Sequence, residues 1–260
     1  MTSSYEIRQS IFKKIIKKLF SFFGYEIKKK NNFNDRFGDR IVELNEFDKK
    51  NIDLALKFAL ANKENLWSII QSIKYIYDNK IEGDFVECGV FKGGSLGLIA
   101  KYAENYKINS KIIGYDTFED GFLQNNYSEY DLSYKTNKPI KYENNKNFFP
   151  TINEVKNNLN SFNLNENYFP ILIKGDILKI LNEDQNIPKK ISFLRLDTDI
   201  YKTTKLQLEV LYPKLEKGGI LHIDDYGLCN GVQKAVDEYF SNSKIWLHRV
   251  DLSCRLMIKN

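Results

Sequence analysis

Four aspartates fall in two closely spaced pairs at the ends of two apolar segments. Asp197 and Asp199 end the stretch ISFLRLDTD, and Asp224 and Asp225 lie near the end of GILHIDDYG. Like charges that lie close together are costly unless protons or a cation neutralise them. Ligand sets made only of oxygen atoms favour Mg²⁺, Mn²⁺ or Ca²⁺ over zinc. The four carboxylates therefore predict a divalent-cation site, and the alternative is that they are unrelated surface acids.

A second candidate site is the glycine-rich stretch 87–95, ECGVFKGGS, which begins where a strand hands over to a helix. Glycines let the backbone approach a ligand, and free N–H groups at a helix start attract an anion. The stretch lacks the ending of a P-loop and the G-x-G-x-x-G spacing of dinucleotide-binding folds, which disfavours a nicotinamide oxidoreductase. Glu87 would repel a pyrophosphate. The stretch suits a ligand with an amine and a carboxylate, such as the methionine part of S-adenosylmethionine.

Two further acids follow predicted strands. Asp116 lies in GYDTF, where a carboxylate can accept hydrogen bonds from both hydroxyls of a ribose. Asp176 follows the apolar stretch YFPILIKG, in a position to border an adenine. Each acid also has a purely structural interpretation, Asp116 as a turn or capping residue and Asp176 as the N-cap of the next helix.

These residues are positioned by alternating strands and helices. Short apolar segments predict strands at 85–90, 111–118, 168–176, 191–199 and 219–227. Amphipathic segments predict helices at 95–106, 153–162, 177–184, 202–215 and 231–242, and residues 245–251 and 254–260 suggest a closing antiparallel pair. The pattern predicts an α/β fold with a mostly parallel sheet and helices on both faces. Ligands of such sheets bind outside the carboxyl ends of the strands, where the candidate residues fall.

The rest of the chain divides into an N-terminal segment at 1–30, a helical cap region at 31–79 and a domain at 80–260. Helices are predicted at 48–61 and 64–79. The polar, tyrosine-containing insert at about 120–150 is long for a compact domain, which is typical of a lid, a binding loop or a disordered segment.

Residues 9–23 form the clearest amphipathic pattern of the chain, with isoleucine, leucine and phenylalanine on one half of a helical wheel and four lysines on the other. Such a helix packs either on the body of the protein or a second subunit, which leaves a homo-oligomer open, or on an anionic membrane surface. The second interpretation predicts peripheral contact with the inner membrane.

Charge and cysteine content narrow the class of protein. Residues 1–30 hold eight of the 39 basic residues and two of the 34 acidic ones, so the remaining 230 residues are close to neutral. A nucleic-acid partner is therefore not expected. Three widely spaced cysteines suit reduced thiols in the cytoplasm. No apolar run is long enough to span a membrane, and a signal peptide is disfavoured.

Several other residues are assigned structural roles. His222, on the same strand as Asp224, is expected to be buried or to lie behind the site. Cys88 is expected to be a small buried residue, and Trp67 and Trp246 to be part of the core.

At this point the chain resembles the macrocin O-methyltransferase family, whose members methylate sugar hydroxyls of macrolides and related glycosides. The resemblance covers residues 64–240, through GDFVECGVFKGGS, GYDTFEDGF, LRLDTDIYKTTKLQLEVLYPKLEKGGILHIDDYG and GVQKAVDEYF. It implies a Rossmann-like class I methyltransferase fold with S-adenosylmethionine and Mg²⁺ as cofactors. It also implies roles for nine residues: Glu87, Gly89 and Ser95 at the methionine end of the cofactor, Asp116 at the ribose, Asp176 by the adenine, Asp197, Asp224 and Asp225 as metal ligands, and Asp199 as the base.

The function expected from these observations is methylation of a sugar hydroxyl in bacterial surface polysaccharide or glycoside biosynthesis. The acceptor is expected to be a small molecule or a lipid- or nucleotide-linked sugar. A non-catalytic cofactor-binding or membrane-docking module of a polysaccharide assembly system is the alternative. The retained acids at the predicted metal site count against that alternative.

Overall fold

The computed structural model of the chain describes residues 41–134, 136–140 and 149–260. The predicted amphipathic helix at 9–23 and part of the predicted insert therefore lie outside the described residues. The described residues of Glu43–Asn260 belong to one compact unit. The division of the chain at residues 30 and 79 stays a prediction.

A seven-stranded sheet forms the centre of this unit, with the strand order β3-β2-β1-β4-β5-β7-β6. The first five strands in that order are parallel, and β7 runs antiparallel to both β5 and β6. This confirms the predicted α/β, Rossmann-like fold with its closing antiparallel strand. The strands are β1 (Asp84–Cys88), β2 (Ile112–Asp116), β3 (Ile171–Lys174), β4 (Ile191–Leu196), β5 (Leu215–Ile223), β6 (His248–Arg249) and β7 (Arg255–Ile258).

Helices cover both faces of the sheet because successive strand residues point to opposite sides. Phe85 and Phe193 belong to one buried cluster, whereas their neighbours Val86 and Leu194 belong to the other. The first cluster includes residues of α1 (Glu46–Ala55), α2 (Lys63–Asp78), α3 (Gly94–Asn105) and α4 (Ile152–Asn160). The second includes residues of α5 (Ile177–Ile180), α6 (Tyr201–Val210) and α7 (Asn230–Tyr239).

The loop between α1 and α2 lies over the start of α3. The backbone N–H of Gly94 donates to the Phe58 carbonyl over 3.1 Å. A Cβ atom at Gly94 would come within 2.3 Å of the Ala55 carbonyl oxygen and 2.7 Å of the Ala59 nitrogen. Only glycine permits this approach, so the sequence Gly93-Gly94 serves the packing of this loop as well as the turn before α3.

The structure departs from the sequence-based expectations in several places. The helices predicted at 48–61 and 177–184 end at Ala55 and Ile180. Helix α6 ends at Val210 rather than at 215, and residues 212–214 form a 3-10 turn. Pro213 lacks a backbone N–H and disfavours helical backbone in the residue before it. The expectation that Trp246 lies in the core is wrong, because 77% of its surface is exposed.

Within the described residues, no helix has both the length and the apolar content that crossing a membrane requires.

Candidate functional site

A cavity of about 470 Å³ opens at the carboxyl ends of the strands. The chain order changes direction between β1 and β4, which is where ligands of open α/β sheets bind. Eight of the nine residues predicted for the site line this cavity: Gly89, Ser95, Asp116, Asp176, Asp197, Asp199, Asp224 and Asp225. The ninth, Glu87, is not one of the lining residues.

The acidic cluster forms where β4 and β5 end side by side. The backbone N–H of Asp197 donates to the Cys88 carbonyl and that of Asp224 to the Leu196 carbonyl, each over 2.8 Å. These bonds continue the sheet by one residue on each strand. Asp197, Asp224 and Asp225 each offer a carboxylate oxygen, and the three oxygens lie within 4.8 Å of one another. This spacing allows one cation to contact all three carboxylates.

Asp199 lies beside the same cluster. Its carboxylate oxygen, that of Asp225 and the Cys229 sulfur form a second set within 4.8 Å. Asp199 and Asp225 adopt left-handed backbone with φ of 64° and 58°. Such backbone is uncommon outside glycine and, in residues other than Asn and Asp, strained. The tight turns after β4 and β5 therefore hold two acids in a conformation that few other side chains accept.

Arg195 is the internal counter-charge of the cluster. Its side chain is 2% exposed, and its guanidinium donates to Glu87 over 2.8 Å, to Asp224 over 2.5 Å and to Asp197. Among the described residues, no lysine or arginine pairs with Asp199 or Asp225. The site thus holds one guanidinium and five carboxylates, those of Glu87, Asp197, Asp199, Asp224 and Asp225. The excess negative charge must be neutralised by protons or a metal ion.

Two polar side chains fix the orientation of Asp224. The Ser253 hydroxyl donates to Asp224 Oδ1 over 3.1 Å and accepts from the Asp225 N–H over 3.0 Å. The Asn65 amide donates to Asp224 Oδ2 over 3.2 Å. His222 lies fully buried behind the cluster, with Nε2 3.0 Å from the Ser68 hydroxyl. Burial lowers the pKa of His222, so it stays neutral in a structural role.

The glycine-rich stretch brings backbone and charge to the cavity next to Asp197. Gly89 has φ of 90°, and a Cβ there would lie 1.7 Å from the Asp197 carbonyl oxygen, so this position requires glycine. Ser95 is the second residue of α3, at the helix end that favours anions. Glu87 is fully buried and bonds Arg195 through Oε1, whereas Oε2 has no hydrogen-bond partner among the described residues.

Asp116 organises the loop after β1. Its Oδ2 accepts from the backbone N–H groups of Val90 and Phe91 over 2.6 and 2.9 Å, and its Oδ1 accepts from Phe118 over 2.6 Å. Burial raises the pKa of Asp116, and these three donors oppose that change. A carboxylate has about four acceptor positions, so capacity for a ribose hydroxyl remains.

Asp176 has the helix-capping role that its position also suggests. Its Oδ1 accepts from the Leu178 N–H over 3.1 Å at the start of α5 and from the Asn126 amide over 2.9 Å. Because Asp176 also lines the cavity, capping and contact with a ligand are compatible.

The described part of the insert is attached to the site. Asp131, 2% exposed, accepts from the Tyr201 N–H over 2.7 Å and thereby caps α6, whose own N-cap residue makes no side-chain capping bond. Phe122, Leu123 and Phe149 line the cavity. The insert therefore supplies apolar walls to the cavity and support for the helix that follows Asp199.

Burial dominates the titration of the site. It raises the pKa of Asp199 to about 6 and that of Glu87 to about 7, although Arg195 opposes both changes. Burial also raises the pKa values of Asp197 and Asp225 well above their usual range. In the metal-free protein the cluster thus binds protons at pH values where exposed carboxylates have lost theirs.

The metal-free protein is therefore expected to lose stability as the pH rises from about 4 to 7. The folded state binds more protons than the unfolded state in this range, so each such group lowers the free energy of unfolding by up to about 1.4 kcal/mol per pH unit. Urea unfolding in the presence of a chelator, at several pH values, measures how the free energy of unfolding changes with pH. A free energy of unfolding that rises over the same range would contradict the assignment.

The sequence interpretation missed Arg195, Asn65 and Ser253. Arg195 carried a signal, because a charged residue within the apolar run ISFLRL must find a buried partner and lies two positions from Asp197, on the same strand face. Asn65 and Ser253 gave no such signal in the sequence, because both are ordinary polar residues, one near a predicted helix start and the other in a turn.

Comparison with known proteins places the chain in a family. Residues 22–257 match the family model described as macrocin-O-methyltransferase (TylF). Over 187 residues the chain is 27% identical to the demethyldecarbamoylnovobiocin O-methyltransferase of Streptomyces niveus. That match covers 68% of this chain and 65% of the relative, so the chain spans slightly less than two thirds of the relative's length.

Solved structures show the same fold. The O-methyltransferase NovP superposes with a TM-score of 0.64 at 22% identity, covering 78% of this chain and 82% of NovP. CalS11, a calicheamicin methyltransferase, superposes with a TM-score of 0.59 at 18% identity, covering 90% of this chain and 99% of CalS11. Because the family model matches most of its length, the chain belongs to the macrocin-O-methyltransferase (TylF) family.

Proposed function

We propose that this chain is an S-adenosylmethionine-dependent, Mg²⁺-dependent O-methyltransferase whose acceptor is a sugar hydroxyl. The observation that carries the proposal is the convergence of Asp197, Asp224 and Asp225 within 4.8 Å, beside a cavity that Gly89 and Ser95 also line. Membership of the macrocin-O-methyltransferase family supports the reaction type.

The donor set fits a hard divalent cation. Asp197, Asp224 and Asp225 supply only oxygen, which favours Mg²⁺ or Mn²⁺. The set that includes Cys229 would suit a softer metal, but Asp199 in that set is needed elsewhere in the proposed reaction. When bound, the cation would lower the pKa of a coordinated hydroxyl and orient its oxygen.

The residues around the cavity divide the remaining tasks. Ser95 and the start of α3 would hold the carboxylate of the cofactor's methionine, and Asp116 would accept hydrogen bonds from its ribose. Asp176 would border the adenine. Asp199 would take the proton of the acceptor hydroxyl, and a pKa near 6 leaves it ionised at neutral pH yet basic enough to accept a proton. Positioning of the two reactants would supply much of the acceleration, about 7–11 kcal/mol in favourable cases.

The acceptor class is proposed from membership of the macrocin-O-methyltransferase family. The acceptor would be a sugar of a surface polysaccharide or glycoside, presented as a small molecule or linked to a lipid or nucleotide. Incubation with labelled S-adenosylmethionine, Mg²⁺ and a panel of nucleotide sugars and glycans, followed by mass spectrometry, tests this. Transfer only to non-sugar acceptors would contradict the acceptor class, and no binding of the cofactor would contradict the reaction.

An Asp199→Asn variant is expected to lower kcat by about 10²- to 10⁴-fold, because general base catalysis contributes about that much. The KM for S-adenosylmethionine should change little. In the wild-type protein kcat should fall below about pH 6 as Asp199 gains a proton, and this dependence should be absent from the residual activity of the variant.

Asp184→Asn is a suitable control, because Asp184 is an exposed acid outside the cavity. The role of Asp199 as base would be refuted by an unchanged kcat in Asp199→Asn. Equal losses in the two variants would point to a general effect of charge instead.

A further inference from the structure

Asn65 is a buried polar residue of the cavity that the proposed reaction does not yet use. It is the third residue of α2 and only 2% exposed, and it lines the cavity. Its backbone N–H donates to Asn62 over 2.8 Å, and its carbonyl accepts from Ser68 over 2.7 Å. The backbone of Asn65 is thus fixed by its neighbours, and only its side chain remains to be explained.

The orientation of the Asn65 amide is set by Asp224. The NH₂ group donates to Asp224 Oδ2, and the reversed orientation would place two oxygens against each other. The side-chain oxygen Oδ1 is therefore the free end of the amide. It is buried and accepts no hydrogen bond from any described residue. An acceptor left in this state costs about 1–3 kcal/mol, which a donor bound in the cavity would recover.

The surroundings indicate which donor this is. The loop before α2 lies over the start of α3, and its residues from Ala59 to Asn62 line the same cavity as Ser95. The start of α3 suits the carboxylate of an amino acid. The ammonium group of an amino acid is attached to the same carbon as its carboxylate, so it must lie next to that helix start. Asn65, in the helix that follows this loop, lines the same cavity and carries the unpartnered acceptor.

The electrostatics agree with a cationic donor. Asn65 contacts Asp224, and Arg195 pairs with both Asp224 and Asp197. The acidic cluster keeps excess negative charge after this pairing. A cation placed here is favoured, and its N–H groups would form charge-assisted hydrogen bonds with neutral acceptors such as an amide oxygen.

We propose that Asn65 Oδ1 accepts a hydrogen bond from the α-ammonium group of the bound cofactor, and that Asn65 is a determinant of cofactor recognition. This inference rests on the proposed function. It assigns one side chain two tasks, since the same amide orients Asp224 through its NH₂ group and holds the cofactor through its oxygen.

Calorimetry in the absence of metal tests the inference with two ligands, S-adenosylhomocysteine and its analogue in which hydrogen replaces the α-ammonium group. Asn65→Ala is expected to weaken the binding of S-adenosylhomocysteine by about 10- to 100-fold, the range for loss of a hydrogen bond to a charged group. The same variant should change the affinity for the analogue by less than about twofold.

Two further variants make the result specific. Asn65→Gln keeps both the donor and the acceptor of the amide and should retain more of the preference for the ligand with the ammonium group than Asn65→Ala does. Gln71→Ala, on the exposed side of the same helix, should change neither affinity. Circular dichroism of each variant confirms that it is folded.

Three results would overturn the inference. Equal weakening of both ligands would show a structural role, and unchanged affinities for both would show no contact. If Asn65→Ala changed only the affinity for Mn²⁺, Asn65 would act on the bound cation and not on the cofactor. If the wild-type protein bound neither ligand, the proposed function would fail together with this inference.

Discussion

An Asp225→Asn variant is expected to lose about 10³-fold in kcat/KM for methyl transfer and to lose the stabilisation that Mg²⁺ gives the wild-type protein. Asp225 offers an oxygen both to the set with Asp197 and Asp224 and to the set with Asp199. Its removal therefore affects every arrangement in which the cluster binds a cation. A loss of about 4 kcal/mol of transition-state stabilisation corresponds to roughly this factor in rate.

The stability of the variant separates loss of metal binding from loss of folding. Asparagine accepts the left-handed backbone at this position and removes one of several crowded negative charges. Without metal, the variant should be at least as stable as the wild-type protein. With metal at about 100 times its dissociation constant, the wild-type protein should gain about 2.7 kcal/mol and the variant much less.

Thermal unfolding with and without Mg²⁺ or Mn²⁺ measures this difference, with Asp184→Asn again as the control. The assignment of Asp225 as a ligand is wrong if the variant responds to the cation as the wild-type protein does. A variant that unfolds without metal under conditions where the wild-type protein is folded would instead indicate a structural role.

Replacement of Arg195 by methionine is expected to lower the free energy of unfolding by about 3–5 kcal/mol. The guanidinium joins Glu87, Asp197 and Asp224 in the interior, and its removal leaves three carboxylates without their shared cation. Methionine fills a similar volume, so the loss should reflect charge rather than a cavity. Arg195→Lys should recover only part of it, because an ammonium does not reproduce the planar fork of donors.

Urea unfolding at pH 8 measures this effect as a change in midpoint at constant slope. Lys190→Met, which removes an exposed cation 4.0 Å from Glu82, is the matched control and should change stability by less than about 1 kcal/mol. An Arg195→Met protein as stable as the wild type would show that the carboxylates do not depend on this residue for their neutralisation.

The fold followed from the sequence because its local and long-range signals agree. The apolar segments that became β1, β2, β4 and β5 are bounded by polar or glycine residues, and the intervening helices have clear amphipathic patterns. The predicted end of α6 was wrong because the apolar pattern continues past the point where the helix stops. Pro213 ends α6 earlier than that pattern alone indicates. Trp246 was assigned to the core on residue type alone, and a large aromatic residue at the surface gives no sequence signal of its exposure.

The candidate site could be predicted only as far as residues follow strand ends. That rule located Asp116, Asp197 and Asp224, because the carboxyl ends of parallel strands share one edge. It could not locate Asn65, which reaches the cluster from a helix 159 positions away in sequence. Contacts between distant segments depend on packing, which the pattern of a single sequence does not encode.

The sequence interpretation assigned the neutralisation of the acids to protons or a divalent cation and named no internal counter-charge. The structure shows that Arg195 shares this task. The distinction matters chemically, because a guanidinium neutralises Glu87, Asp197 and Asp224 without offering a coordination position to a substrate oxygen. Asp199 and Asp225 are the acids that it does not reach, and they lie where the proposed reaction needs a base and a metal ligand.

The central claim is that a divalent cation binds between Asp197, Asp224 and Asp225 next to the cofactor. The most direct measurement is a crystal structure grown with Mn²⁺ and S-adenosylhomocysteine, with anomalous diffraction recorded to locate the metal. We expect one strong anomalous peak about 2.0–2.6 Å from oxygens of all three carboxylates, with the homocysteine end of the ligand beside Gly89 and Ser95. A fully bound ligand with no peak at these carboxylates, or a peak at other acids, would contradict the claim.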